Sequence, residues 1–295
     1  MSINQPSETT PLADGTDCHM HVYDQRYPAA PGATLLPADA ALTGYLPLRA
    51  ALGLERTVVV QPSTYGTDNR CTLAACHALG AQARAVVAIA ADSPDGALLA
   101  MREAGARGIR FGLAPSSGHT PESVTAFARR AADAGMHLQL TLSARRIAAM
   151  QPLLQALPCP LVVDHMGNIP PAEGADHPAW TALRSLLDAG RTWIKLSGAY
   201  LFLDQAGQTR ELAQALTRQF IVAAPQRMLW GSNWPHPTHA RDHAPDDRSL
   251  LALMCSAAAD AATVRRILVD NPAEVYGFAP AKDHPLSGTT DARES

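Results

Sequence analysis

Short β-rich runs alternate with helical stretches almost without interruption, and this rhythm limits the possible folds more than any other feature of the chain. Runs of branched and apolar residues predict strands over 17–23, 57–61, 85–91, 108–111, 137–142, 160–164, 193–197 and 228–231. Between and after them, helical spacing predicts helices over 42–54, 67–83, 94–105, 121–135, 144–157, 179–190, 210–224, 248–259 and 261–269. Thr57-Val58-Val59-Val60-Gln61 is a continuous apolar run, as expected for a parallel strand covered on both faces. Pro121 and Gly135 stand at the start and stop of their helix, the usual asymmetry.

Eight strand–helix units predict an α/β protein, a single (β/α)8 TIM-type barrel, and its 295 residues suit a fold that needs roughly 250. A doubly wound open sheet is the rival, weakened because no G-x-G-x-x-G follows the first strand. The expected organisation is a flexible segment over 1–15, a barrel over 16–280 and a disordered tail over 281–295, rich in Asp, Ser, Thr and Pro.

Composition narrows the partners. At 47% hydrophobic and 17% charged the chain has material for a large core and is not a disordered protein. A net charge of -3 without any Lys/Arg block gives no footprint for nucleic acid or an anionic membrane. Five scattered cysteines with no C-x-x-C argue against a disulfide framework or a structural zinc cluster. The first 15 residues lack an apolar signal region, and no run approaches the roughly 20 apolar residues of a membrane span. The expectation is a soluble cytoplasmic protein, with an oligomer left open.

In such a barrel all strand C-termini meet at one mouth. Polar residues at those positions are His19 and His21, Gln61 and Ser63, Arg110, Gln139 and Thr141, Asp164 and His165, Lys195 and Ser197, Asn233 and His236. His19 and His21 are two apart, so on a strand both face the same side. Alone, H-x-H is a weak signal; its position on the first strand, with His165 on the sixth, raises its value.

These motifs resemble the amidohydrolase superfamily. The resemblance rests on Asp17-Cys18-His19-Met20-His21, Gln61-Pro62-Ser63, Gly66-Thr67-Asp68-Asn69 and Arg107-Gly108-Ile109-Arg110-Phe111. It continues through Asp164-His165-Met166-Gly167, Lys195-Leu196-Ser197-Gly198-Ala199-Tyr200, Trp230-Gly231-Ser232-Asn233-Trp234-Pro235-His236-Pro237 and Asn271-Pro272. The branch it resembles contains 2-pyrone-4,6-dicarboxylate hydrolase and galactarolactone isomerase. Membership implies a barrel and attack at the carbonyl of a cyclic ester.

The departures from the superfamily pattern are informative. Metal-dependent members carry Lys or Glu on strand four, His on strand five and Asp on strand eight. Here Arg110, Gln139 with Thr141, and Asn233 stand at those places. Three neutral imidazoles could hold Zn²⁺, but a nearby Arg and no anionic ligand disfavour a divalent ion. The expectation is no cofactor and no metal, with His19, His21 and His165 polarising the substrate carbonyl.

In the resembling hydrolase the strand-eight Asp is the general base, a role Asn233 cannot take. Either His165 or Asp164 replaces it in hydrolysis, or the nucleophile is a hydroxyl of the substrate and the reaction is lactone isomerisation. A catalytically inactive small-molecule-binding barrel is a third possibility. Arg110 is expected to hold a carboxylate, and no second clamp is evident: Asn168 and Thr141 stand where the hydrolase has Arg and Tyr. The expected partner is therefore a small anionic cyclic ester with one carboxylate. Ser63, Tyr65, Thr141, Tyr200 and His236 are further candidates for substrate binding; Lys195 is either a catalytic ammonium or half of an internal ion pair.

Overall fold

The computed structural model describes residues 12–113, 119–203, 205–239 and 243–279. The strands are β1 (Thr16–Met20), β2 (Arg56–Val60), β3 (Ala83–Val87), β4 (Ala106–Gly112), β5 (His137–Thr141), β6 (Leu161–Val163), β7 (Thr192–Leu196) and β8 (Met228–Trp230). They lie in sequential order, each parallel to the next. The helices are α1 (Leu42–Ala51), α2 (Arg70–Leu79), α3 (Asp95–Glu103), α4 (Val124–Asp133), α5 (Ala144–Gln155), α6 (Pro178–Asp188), α7 (Arg210–Ala223), α8 (Asp247–Ala257), α9 (Ala261–Arg265) and α10 (Asn271–Tyr276). This is the expected (β/α)8 barrel.

The seam between β8 and β1 closes at the mouth. Asn233 N–H donates to the His19 carbonyl at 2.8 Å, and His21 N–H donates to the Trp234 carbonyl at 2.8 Å. The buried carboxylate of Asp17 reinforces the seam. It accepts from the Ser232 hydroxyl at 2.6 Å, the Ser232 amide at 3.0 Å, the His19 amide at 3.0 Å and the Tyr45 hydroxyl at 3.0 Å. Each bond replaces hydration that the carboxylate lost on burial.

β1 is not regular. Its register against β2 slips between Asp17 and Met20, so three steps on β1 match two on β2. A bulge of this kind re-aims one side chain. Cys18 packs inside the barrel with Val58, Val60 and Leu229, whereas Met20 packs outside with Tyr45 and Val59. His19, displaced by the extra residue, points inward with His21.

Several predicted boundaries moved, and two of the changes have clear causes. The Ala-rich stretch reads as helix to residue 83, but α2 ends at Leu79 where Gly80 takes φ +59, and Ala83 already pairs with Thr57. β3 accordingly starts two residues before the predicted 85. At the other end, the predicted helix 261–269 is α-helical only to Arg265, passes through a π turn over Arg266–Asp270 and continues into α10. That last helix plugs the barrel floor: Tyr276 and Phe278 join the interior cluster with Trp193. Asn271 secures it, donating to the carbonyls of Met228 at 2.7 Å and Pro225 at 2.8 Å. At the N-terminus Gly15 is tied down, its carbonyl accepting from the amides of Glu55 and Arg56 at 2.9 Å. The rest of the segment predicted to be flexible, 1–11, and the predicted tail, 281–295, lie outside the described residues.

Candidate active site

The mouth holds three groups of side chains. The first is built on β1, β5, β6 and β7. His19, His21 and His165 are all buried, with the His19 and His165 rings 4.9 Å apart and the His19 and His21 Nε2 atoms 3.3 Å apart. Beneath them Gln139, Asp164 and Lys195 form a buried polar layer, with the half-buried Thr141 at its edge. Asp164 accepts from the Thr141 hydroxyl at 2.6 Å and from Gln139 Nε2 at 3.1 Å. Lys195 Nζ donates to Gln139 Oε1 at 2.7 Å, contacts His19 Nδ1 at 3.3 Å and lies 3.5 Å from Asp164. Lys195 is thus the internal ion-pair partner. His21 Nδ1 donates to the Val60 carbonyl at 2.8 Å, and His165 Nδ1 pairs with the Ser197 hydroxyl at 2.9 Å.

The electrostatics follow from burial. Burial raises the Asp164 carboxyl, but Lys195 and His19 outweigh it and hold the group well below the usual carboxylate range. Burial pulls the imidazoles down: His21 to about 3, with Arg110 adding to the effect, and His165 to about 4 against the pull of Asp164. His19 falls well below its ordinary value through burial and Lys195. All three rings are neutral at physiological pH.

The second group is Asn233, Tyr200 and His236. Asn233 Nδ2 donates to the Tyr200 hydroxyl at 2.7 Å, and His236 packs edge-on against the Tyr200 ring at 4.9 Å. His236 Nε2 faces Asp247 at the start of α8, 3.1 Å away. Burial raises the Tyr200 phenol, so it stays protonated. His165, Met166, Asn168, Asn233 and His236 all adopt positive φ, in the loops after β6 and β8. Backbone strain of this kind concentrates where side chains must be aimed.

The third group lines a cavity of about 470 Å³ whose wall includes Ser63, Arg110, Thr141, Ile89 and His119. Arg110 Nη1 donates to the Gln61 carbonyl at 2.6 Å. His19, His21 and His165 are not among the cavity's lining residues. The link to the cavity is through the backbone, since the Val60 carbonyl that His21 bonds precedes Gln61 in the wall, and the Arg110 charge helps depress both His21 and His165. Tyr65 stands apart from all three groups: its hydroxyl accepts from the Asp24 amide at 2.8 Å and donates to the Asp24 carbonyl at 3.2 Å. Gln61 is likewise occupied, bracing the loop through Gly66, Asp68 and Thr72.

His119 was not among the sequence candidates. It reaches the cavity from the loop after β4, where its ring stacks on Phe111 at 4.7 Å and bonds the Gly112 carbonyl at 3.0 Å. It is the seventh residue after the strand end at Gly112, too far for strand-end position to point to it. Among the described residues, His19, Asp164 and His165 also form the one set whose ligand-capable atoms lie within 4.8 Å of one another.

A (β/α)8 barrel with histidines, a buried carboxylate and a cation at its mouth has the build of a barrel hydrolase. The chain belongs to the amidohydrolase family, whose sequence model matches residues 16–278. It is 31% identical to 2-pyrone-4,6-dicarboxylate hydrolase of Comamonas testosteroni, with 90% of each chain covered. It is 32% identical to D-galactarolactone isomerase of Agrobacterium fabrum, covering 90% of this chain and 92% of the relative. An apo crystal structure from Agrobacterium tumefaciens superposes with a TM-score of 0.85 at 30% identity, covering 92% of this chain and 99% of the other.

Proposed function

We propose that the protein is a metal-independent enzyme acting on a carboxylated lactone or pyrone-type cyclic ester, and that its reaction is hydrolysis. Arg110 holds the carboxylate, the cluster of His19, His21 and His165 hydrogen-bonds the ring carbonyl and the attacking water between them, and water attacks. The observation that carries this reading is the adjacency of three neutral, buried imidazoles to a cavity with Arg110 in its wall. Neutral rings can donate or accept hydrogen bonds, and Arg offers a planar fork matched to a carboxylate. Two relatives, one named a pyrone dicarboxylate hydrolase and one a galactarolactone isomerase, support a cyclic-ester substrate.

A divalent metal fits the donor set poorly. Asp164, the sole carboxylate of the possible ligand set, already accepts from Thr141 and Gln139 and is ion-paired to Lys195. An ion there would lie against the Lys195 ammonium, and Arg110 adds further positive charge nearby. These two cations supply electrophilic field where metal-dependent barrels use an ion.

Isomerisation is the second reading, favoured by Asn233. The group that would be a carboxylate base is an amide donating to Tyr200, and a hydroxyl already on the substrate can replace water. The deciding experiment incubates purified protein with a panel of monocarboxylated γ- and δ-lactones and identifies products by NMR. Ring-opened acid supports hydrolysis, a rearranged lactone supports isomerisation, and no turnover of any lactone defeats both. Among the described residues no helix is long and apolar enough to cross a membrane.

A further inference from the structure

We infer that His21 is the general base of this site and His19 its hydrogen-bond donor, a division of labour fixed by the hydrogen-bond chain that sets their tautomers. The inference rests on the lactone reading and holds for hydrolysis and isomerisation alike.

The chain is read from its one unambiguous end. His21 Nδ1 lies 2.8 Å from the Val60 carbonyl oxygen. A carbonyl only accepts, so Nδ1 carries the proton and, in a neutral ring, Nε2 is a bare lone pair. That lone pair faces His19 Nε2 at 3.3 Å, so His19 Nε2 is the donor. His19 Nδ1 must then accept, and 3.3 Å away stands the Lys195 ammonium, which can only donate. Asp164 Oδ1 is also 3.3 Å from this nitrogen, but a neutral His19 that donates through Nε2 has no proton on Nδ1 to give it. Protons therefore point one way, from Lys195 through His19 and His21 to Val60.

The other base candidates lack this property. His165 is partnered by the Ser197 hydroxyl, which donates or accepts, so its tautomer is not fixed. Asp164 is engaged by Gln139, Thr141 and Lys195. Asn233 is an amide. Of His21, His165, Asp164 and Asn233, His21 is the one imidazole whose Nε2 is fixed as an acceptor.

Substrate entry opens the His19–His21 bond. His19 Nε2–H turns to the ring carbonyl oxygen, and His21 Nε2 takes the proton of the attacking hydroxyl or water as the new carbon–oxygen bond forms. The carbonyl π pair moves onto oxygen, where His19 holds it. Collapse restores the carbonyl and breaks the bond to the ring oxygen, which leaves with the proton returned by His21. Water as nucleophile gives the hydroxy acid; a substrate hydroxyl gives the rearranged lactone. Lys195 is a positioning residue here, acting through His19.

The charged and titratable groups around His21 are Arg110, His19, His165 and Asp164. Burial and Arg110 keep His21 neutral in the free enzyme. A substrate carboxylate on Arg110 offsets the second cause, so substrate itself strengthens the base. This predicts a signature that a structural histidine would not give: the acid limb of kcat lies at higher pH than the acid limb of kcat/KM.

Nitrogen-15 NMR of histidine-labelled, unliganded protein tests the tautomers without any variant. The proton is expected on Nδ1 of His21 and on Nε2 of His19; a proton on Nε2 of His21 overturns the assignment whatever the substrate is. On a lactone that the wild type converts, His21→Gln should lower kcat by about 10²–10⁴-fold with KM little changed. Added imidazole should restore part of the turnover of His21→Ala. A folded His21→Gln variant that keeps kcat within about threefold, or keeps the acid limb, overturns the role. Absence of lactone turnover by the wild type instead defeats the parent reading.

Discussion

Lys195 and Asp164 face each other at 3.5 Å across the barrel interior, and neither side chain has any contact with solvent. Two opposite charges so placed are costly to bury and costlier to separate, because removing one leaves the other uncompensated. Gln139 bridges them, accepting from Lys195 and donating to Asp164. The layer is a rigid floor under the histidines.

Breaking that pair should therefore be expensive. Lys195→Met leaves a buried unpaired carboxylate and should destabilise the protein by about 3–5 kcal/mol. Adding Asp164→Asn should recover a large part of the loss, because both charges are then gone. Urea unfolding of the two single variants and the double variant measures the coupling. A Lys195→Met protein within about 1 kcal/mol of wild type would show that the pair is not buried as described.

Acid should unfold the protein at a pH higher than carboxylate protonation alone would. His21 and His137 sit at about 3 and His165 at about 4, with His19 also well below its ordinary value, all chiefly through burial. Unfolded, each returns to about 6.5. Between those values the unfolded chain binds protons that the native chain does not, so stability falls as pH falls. Each such ring steepens the loss, by at most about 1.4 kcal/mol per pH unit. Asp164 contributes only lower down, its stabilisation being lost as pH drops through its depressed native value. Thermal melts from pH 4 to 8 should show this slope, and His137→Leu should flatten it by about a quarter. An unaltered slope in that variant would remove His137 from the account.

Arg110→Lys keeps the charge and loses the planar fork. With a carboxylate anchored there, kcat/KM should fall about 10–100-fold, the size of a lost charge-assisted hydrogen bond of about 1.5–3 kcal/mol. Steady-state kinetics on the best lactone check this. Kinetics equal to wild type would take Arg110 out of substrate binding.

Purified protein should contain Zn, Mn and Fe far below one ion per chain, and EDTA should leave turnover intact. The expectation follows from Lys195 and Arg110 standing where an ion would need negative charge. Elemental analysis giving one metal per chain, together with chelator-sensitive activity, would reverse it.

Much of this arrangement was legible in the sequence, and the exceptions have physical causes. The barrel was readable because both faces of its strands are covered, which leaves uninterrupted apolar runs such as Val58-Val59-Val60. His19, His21, His165 and Arg110 were readable because strand C-termini converge at one mouth. The bulge in β1 was not: it exists only as a register against β2. Nor could the sequence decide between the two roles weighed for Lys195, since its partners Asp164 and Gln139 lie on other strands. Tyr65 and His119 illustrate the limits of proximity along the chain. Tyr65 follows a strand end closely yet braces the Asp24 loop, whereas distant His119 folds back onto Phe111 in the cavity wall.

Asn233→Asp separates the two chemistries. The side chains are nearly isosteric, and the Asn233 amide N–H to the His19 carbonyl is a backbone bond that the variant keeps. What changes is the partner of Tyr200: the Asn233 side chain donates to its hydroxyl, whereas an aspartate would accept from it. The variant therefore gains a group able to take a proton from water. If the wild type hydrolyses lactones without its family's usual base, the variant should turn over simple lactones faster, less any repulsion of an anionic substrate held by Arg110. If the wild type isomerises, its product is a rearranged lactone, and the variant should leak ring-opened acid because water is activated beside the substrate hydroxyl. The two cases thus differ in the wild type and converge in the variant, so product analysis of both proteins on one lactone tells them apart. A wild type that opens lactones quickly and is slowed sharply by Asn233→Asp would give the opposite lesson. Asn233 would then be a working donor, holding Tyr200 in place for the reaction, rather than the site of a missing base.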